Sequence, residues 1–100
     1  MHLIAFGINH KTAPIAIREQ AAFAPEQLPQ ALREITAQAG VDEATILSTC
    51  NRTEIYLEVT GGGDPRELMR RGLLAAGADP ELFFSSHAVT YEGLEVVKHL

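Results

Sequence analysis

The 100-residue chain is poor in cysteine and aromatic residues. It has one cysteine, no tryptophan and an aromatic share of 6%. A single cysteine cannot form an internal disulfide, which predicts a reducing compartment, and we expect the cytoplasm. The N-terminus lacks the basic start and long apolar stretch of a secretory signal. No apolar run approaches the ~18 residues of a transmembrane helix, so the sequence predicts no membrane partner.

Positive charge is also scarce. Eight Lys and Arg stand against thirteen Asp and Glu, a formal net charge of −5. Proteins that bind phosphate backbones broadly use clustered Lys and Arg, and this sequence has no such cluster. The chain is therefore not expected to bind nucleic acid broadly. Lys11, Arg18 and Arg52 can still lie near each other and contact one RNA end.

The order of predicted elements defines the fold class. The chain length suits one domain with a modest core. The patterns predict the order β, α, α, β, β, α, β, with the last strand within residues 82–90 and a helix from Tyr91. This order predicts an α+β fold of ferredoxin-like type, an antiparallel sheet with helices packed on one face. We expect residues 1–90 to form the domain and residues 91–100 to start a helix leading into further domains.

The cysteine lies between two predicted strands. Residues 44–49 predict the more buried of the two. Residues 53–60 alternate with a period of two, which predicts a half-buried strand. The three residues between them, Cys50-Asn51-Arg52, predict the tip of an antiparallel hairpin, because Asn51 tolerates the left-handed backbone of a tight turn.

Two glycine features differ in what they imply. Gly7, inside the first predicted strand, indicates a bulge or a close backbone approach. Residues 61–63 are three consecutive glycines. No Gly-Lys-Ser/Thr ending follows them, so they predict a flexible connector and no nucleotide site.

Cys50 is the strongest candidate for chemistry. Its neighbours Thr49, Asn51 and Arg52 are polar, whereas a core cysteine usually lies inside an apolar run. The thiolate is the reactive form of cysteine, and a nearby cation and partial exposure favour it. A lone cysteine is often a small buried hydrophobic residue instead. From the residues alone, nucleophile and structural thiol both stay open.

Three stretches resemble motifs of the glutamyl-tRNA reductases. The first is Gly7-Ile8-Asn9-His10-Lys11-Thr12-Ala13-Pro14, with Arg18-Glu19 just after it. The second is similar to the catalytic motif of that family, Ser48-Thr49-Cys50-Asn51-Arg52-Thr53-Glu54-Ile55-Tyr56. The third is similar to a landmark at the start of a long helix, Val96-Val97-Lys98-His99-Leu100. Their order and spacing agree with the family, and the resemblance covers the whole chain.

The resemblance implies a reaction and roles for five residues. Glutamyl-tRNA would be reduced by NADPH to glutamate-1-semialdehyde, in the first committed step of tetrapyrrole (porphyrin and haem) synthesis. Cys50 would be the nucleophile that forms a glutamyl thioester. Thr49, Cys50, Asn51 and Arg52 would bind the glutamyl group, with Arg52 a partner for its carboxylate. His99 would orient or protonate at the reacting centre.

The resemblance also implies cofactors and partners that this chain does not encode. The NADPH-binding and dimerisation domains would lie beyond Leu100, so we expect the chain alone not to complete the reduction. The full-length enzyme is expected to use NADPH and no metal, to be a homodimer, and to pass its product to the next enzyme of the pathway.

Two other classes of protein and several alternative roles for the histidines remain open from the sequence. The chain could be a ferredoxin-like regulatory or partner-binding domain with an inert Cys50. A nucleic-acid-binding module ranks third, because the chain is acidic and lacks paired aromatic residues on a strand. His10 suits a substrate contact or a local hydrogen bond equally well, and His87 is interpreted as structural or solvated. The four histidines and one cysteine have no credible zinc spacing.

Overall fold

A computed structural model describes residues 2–61 and 63–99; Met1, Gly62 and Leu100 lie outside the described residues. In chain order the elements are β1 (His2–Asn9), α1 (Ile15–Ala21), a 3₁₀ turn (Pro25–Gln27), α2 (Leu28–Thr36), β2 (Val41–Ser48), β3 (Arg52–Val59), α3 (Pro65–Ala75), a second 3₁₀ turn (Pro80–Phe84), β4 (Ala88–Glu92) and α4 (Leu94–His99). Within this part of the chain, the helices are too short or too polar to cross a membrane.

The strands form one antiparallel sheet in the order β2-β3-β1-β4. The central pair runs in register from His2 opposite Val59 to Asn9 opposite Arg52. This strand order with βαββαβ connectivity is the ferredoxin-like arrangement, so the predicted α+β class is confirmed. The expectation that β2 is more buried than β3 was wrong. β2 lies at an edge and is half-exposed, whereas β3 has a partner strand on each side.

The main core lies between the sheet and the helices α1, α2 and α3. It is filled by fully buried side chains of the central strands, α2, α3 and the second 3₁₀ turn: Ile4, Phe6, Ile8, Ile55, Leu57, Ile35, Met69, Leu73 and Phe83. α2 and α3 touch at Gly72, where a Cβ atom would lie 2.7 Å from the Cα of Ile35. Glycine is therefore required for this helix contact.

The last helix departs from the prediction that helices cover one face only. α1–α3 do share a face, but α4 packs on the opposite one, where Val96 is buried. The last strand extends to Glu92, past the predicted end at residue 90, and the aromatic Tyr91 in the extension is a residue that strands favour. Gly93, with φ of +57°, then makes the turn that starts α4, and its N–H donates to the Leu3 carbonyl at 2.8 Å.

Candidate active site

Cys50 lies at the exposed apex of the β2–β3 hairpin. The Thr49 N–H donates to the Arg52 carbonyl at 2.8 Å, and the Thr49 hydroxyl accepts from the N–H groups of Asn51 and Arg52, each at 3.2 Å. In the described residues only glycines have positive φ, so the left-handed conformation expected for Asn51 was wrong. The turn depends on the Thr49 side chain instead.

Helix α1 and the segment that follows it contact this hairpin at two points. Nη1 of Arg18 donates to the Cys50 carbonyl at 3.3 Å, and the Phe23 N–H donates to Oγ of Ser48 at 3.0 Å. Nε of Arg18 is buried and has no hydrogen-bond partner in the described residues. A guanidinium thus lies against the backbone of the candidate nucleophile.

The first motif forms a closed loop beside the start of β3. Oδ1 of Asn9 accepts from the N–H groups of Lys11 (2.8 Å) and Thr12 (3.2 Å), and Asn9 lies opposite Arg52 in the sheet. His10 and Lys11 are exposed on this loop. Nδ1 of His87 donates to the Thr12 carbonyl at 3.1 Å, as expected for a structural histidine.

A buried carboxylate, Glu54, connects the residues of the opposite sheet face. Its side chain is 3% exposed, and Oε1 accepts from the Tyr56 hydroxyl at 2.9 Å and lies 3.6 Å from Nη1 of Arg52. Oε2 is hydrogen-bonded to Nε2 of His99 on α4. The His99 ring stacks on Tyr91, with centroids 4.1 Å apart and planes 17° apart. Three side chains from β3 and α4 thus contact one carboxylate, and Tyr91 on β4 packs against one of them, His99.

Gly7 provides the space for this carboxylate. It lies opposite Glu54 on β1, and a Cβ atom there would lie 3.2 Å from Cγ and 3.4 Å from Oε2 of Glu54. The close approach expected at Gly7 is thus that of a neighbouring side chain. Burial, together with the hydrogen bond to Glu54 and repulsion by it, raises the pKa of Tyr56 to about 12, so the phenol remains a donor near neutral pH.

An open cleft of about 390 Å³ adjoins the carboxylate cluster. Its walls are mainly apolar and lie between the exposed half of the sheet and α4. The residues that line it include Leu3, Leu47, Val96, Arg52, Tyr56 and His99. The Arg52 guanidinium and the His99 imidazole therefore lie at the rim of an apolar surface.

The structure places the predicted site residues in two connected groups. Thr49, Cys50, Asn51 and Arg52 form the turn, and Arg52 leads through Glu54 to His99. Glu54 was not predicted as a site residue, because alternation places it on the polar side of β3. Its position inside the second motif, in the same stretch as Cys50 and Arg52, was the signal that could have found it. The described residues contain no cluster of three or more His, Cys, Asp or Glu able to bind a metal.

The ferredoxin-like sheet and the cysteine at the hairpin apex define a class of domain. The family model of that class matches residues 6–100 and is described as "Glutamyl-tRNAGlu reductase, N-terminal domain". The chain belongs to this family. The glutamyl-tRNA reductase of Solibacter usitatus is 43% identical over 100 residues, covering 100% of this chain and 24% of that protein. The enzyme of Pseudoalteromonas translucida is 40% identical over 100 residues, covering 100% and 23%. That of Nitrosococcus oceani is 66% identical over 56 residues, covering 56% and 13%.

A solved structure agrees with the sequence comparisons. The glutamyl-tRNA reductase from Methanopyrus kandleri superposes with a TM-score of 0.64 at 28% identity, covering 97% of this chain and 20% of that chain. The chain spans 24% or less of the length of these curated relatives. The similarity therefore concerns one domain of longer enzymes.

Proposed function

We propose that this chain is the part of a glutamyl-tRNA reductase that captures the glutamyl group as a thioester. The observation that carries the proposal is the exposed Cys50 at the apex of a turn fixed by Thr49 and contacted by Arg18. A nucleophile must be reachable and must be held in one geometry, and this turn supplies both conditions.

The capture step is an acyl transfer to sulfur. The Cys50 thiolate attacks the carbonyl carbon of the aminoacyl ester, a C–S bond forms, and the ester C–O bond breaks. The terminal ribose hydroxyl of the tRNA leaves and takes a proton, which His99 would supply or orient. Arg52 is half-exposed and has donors beyond the one near Glu54, so it can also bind the glutamyl carboxylate. Thr49 fixes the turn that carries the reacting sulfur, and Asn51 flanks Cys50.

The reduction step needs a hydride, which NADPH supplies in glutamyl-tRNA reductases. The N-terminus of α3 does not fit a dinucleotide. The Asp64 carboxylate accepts from the Arg66 N–H at 3.1 Å and so occupies the helix N-terminus with negative charge, where a pyrophosphate would be repelled. We propose no hydride step for the described residues, and we assign NADPH to another domain of a longer enzyme.

The wider assignments follow from the same proposal. The longer enzyme would make glutamate-1-semialdehyde for tetrapyrrole synthesis in the cytoplasm. It would act as a homodimer, without a metal, and would pass its product to the next pathway enzyme. Residues 1–90 would form the catalytic domain and residues 91–100 the start of the connection. A regulatory domain with an inert Cys50 is not favoured, because the chain belongs to the reductase family over residues 6–100.

The test of capture is covalent labelling. We expect radiolabelled glutamyl-tRNA to transfer label to a reductase of full length that contains this chain, in the absence of NADPH. The label should be released by hydroxylamine, as a thioester is, and should be absent in Cys50→Ser, because an alkoxide forms far less readily than a thiolate.

A matched control separates a specific nucleophile from any exposed thiol. Ala39 is exposed in the turn before β2, at the end of the sheet opposite Cys50. The double variant Cys50→Ser/Ala39→Cys has one exposed cysteine in another place and should remain unlabelled. Undiminished label in Cys50→Ser, or recovery of label in the double variant, would show that Cys50 is not the specific nucleophile.

A further inference from the structure

Glu54 is a buried charged group for which the capture step has no use. It is 2% exposed and lies on a central strand, so its position is fixed by the sheet on both sides. Taking a carboxylate out of water is costly unless hydrogen bonds and opposite charge compensate it. Tyr56, Arg52 and His99 supply that compensation. A buried carboxylate with three such partners indicates that Glu54 has a role in the site.

We infer that Glu54 is the positioning residue that orients His99 and decides which of its ring nitrogens faces the substrate. The inference rests on the proposed function, in which His99 serves the reacting centre. A carboxylate oxygen accepts hydrogen bonds, so Nε2 of His99, bound to Oε2, carries the hydrogen. Nδ1 is then the ring nitrogen that is left to exchange a proton or a hydrogen bond with the substrate.

The neighbours of the pair restrict the ring further. Tyr91 covers one face of the imidazole at a centroid distance of 4.1 Å. Tyr56 donates to the other carboxylate oxygen, so the Glu54 side chain cannot rotate without breaking a second hydrogen bond. Gly7 leaves the space in which the carboxylate lies. A fixed ring with a defined tautomer is what a proton-transfer group at a developing alkoxide requires.

Direct contact between Glu54 and the substrate fits the geometry less well. Both carboxylate oxygens have partners within the protein, and the side chain is 3% exposed. A substrate ammonium group would have to displace His99 or Tyr56 to reach it. The geometry therefore points to action through His99.

The test uses Glu54→Gln in a full-length reductase that contains this chain. We expect kcat to fall by about 10- to 100-fold, the usual cost of losing an orienting partner, with KM changed less than about twofold. Glu54→Asp keeps the charge and should recover part of the rate. In a His99→Asn background, Glu54→Gln should lower kcat by less than about a further twofold, because two residues that act as a unit are not additive.

Glu92→Gln is the matched control. Glu92 also lies on the sheet and near a histidine and an arginine, His2 and Arg66, but it is half-exposed and lies outside the cluster. Its substitution should leave kcat and KM unchanged. A fall in kcat of similar size in this variant would show that the effect of Glu54→Gln is not specific, and would overturn the inference.

A second readout needs no substrate and separates this inference from the proposed function. Long-range ¹H–¹⁵N NMR correlations of the imidazole should show His99 with hydrogen on Nε2 in the wild type, and a mixture of tautomers in Glu54→Gln. A wild-type ring protonated on Nδ1 alone overturns the inference, even if Glu54→Gln fails to fold. Unchanged kcat, a change in KM alone, or full additivity with His99→Asn also overturns it. Loss of thioester formation in the wild type would instead refute the proposed function and leave the tautomer result standing.

Discussion

At the residue scale, burial and a neighbouring carboxylate together keep the Tyr56 phenol protonated. Removal from water is the largest cause that raises the pKa of Tyr56, followed by its hydrogen bond to Glu54 and the repulsion of a second negative charge. Arg52 acts in the opposite direction. The balance keeps Tyr56 neutral, so it can donate to Glu54 throughout the physiological range.

The raised pKa of Tyr56 has a consequence for stability at high pH. The ordinary pKa of 10.0 applies to the unfolded chain, and the folded value is about 12. Between these values the unfolded state loses the proton first, so the contribution of Tyr56 is complete below pH 10 and is lost as pH rises through 12. We expect the stability difference between the wild type and Tyr56→Phe to shrink across this window, measured by urea unfolding at each pH.

A direct titration gives the control for that prediction. Ultraviolet absorbance of phenolate should show one late-titrating tyrosine in the wild type, and this component should be missing in Tyr56→Phe. Completion of both tyrosine titrations by pH 11 would contradict the raised pKa.

The site residues show what the sequence can reveal about individual positions. The hairpin turn that contains Cys50 was predicted, because polar neighbours and strand alternation are local signals. Glu54 was missed, because alternation identifies which side of a strand a residue is on but not what covers that side. Its burial depends on α4, whose residues follow it by about 40 positions in the sequence. Contacts between distant segments carry no local signature.

At the element scale, the β2–β3 turn depends on one hydroxyl. Thr49 accepts hydrogen bonds from two backbone N–H groups and so substitutes for the left-handed residue that many tight turns require. The turn that presents Cys50 is therefore fixed by a side chain next to it in the sequence.

Replacing Thr49 with valine keeps the shape and removes the hydroxyl. We expect a loss of about 0.5–1.5 kcal/mol in the free energy of unfolding, the net value of a hydrogen bond, and faster amide exchange at Asn51 and Arg52. Thr45→Val is the matched control, since Thr45 is an exposed threonine of the adjoining strand. It should change stability by less than about 0.5 kcal/mol. Equal amide exchange at Asn51 in the two variants would show that the hydroxyl does not fix the turn.

The elements also differ in how well the sequence predicts them. The helix predicted after the hairpin is present as α3, because the capping Asp64 and Pro65 are local signals of a helix start. The edge position of β2 and the face of the sheet on which α4 packs were not predicted. Both depend on which strands become neighbours in the sheet, and strand order is set by the whole chain.

At the scale of the whole molecule, the sheet separates two environments. One face packs against α1–α3 and forms the main core, while the other has α4 beside an open cleft. The stability of the fold and the arrangement of the candidate site therefore depend on different sides of the same strands. Docking of α4 should be separable from global folding.

Val96→Asp tests this separation. The substitution places a charge where Val96 is 3% exposed, and we expect α4 to undock with a loss of at least about 1.5 kcal/mol in its local opening free energy. Hydrogen exchange should accelerate across α4 and remain protected in the main core. Val97→Asp, at the neighbouring residue that is 54% exposed, should change α4 by less than about 0.5 kcal/mol. Global unfolding in Val96→Asp would contradict the independence of the two faces.

The two outer strands have a consequence for behaviour at high concentration. Unpaired backbone groups along β2 and β4 could recruit a strand from another molecule. β2 has the acidic residues Asp42 and Glu43 near its start, where the register also shifts, and β4 is only five residues long. Charge, an irregular edge and a short edge each disfavour aggregation through strand addition. The chain should therefore remain dispersed in concentrated solution although its sheet is open at both ends.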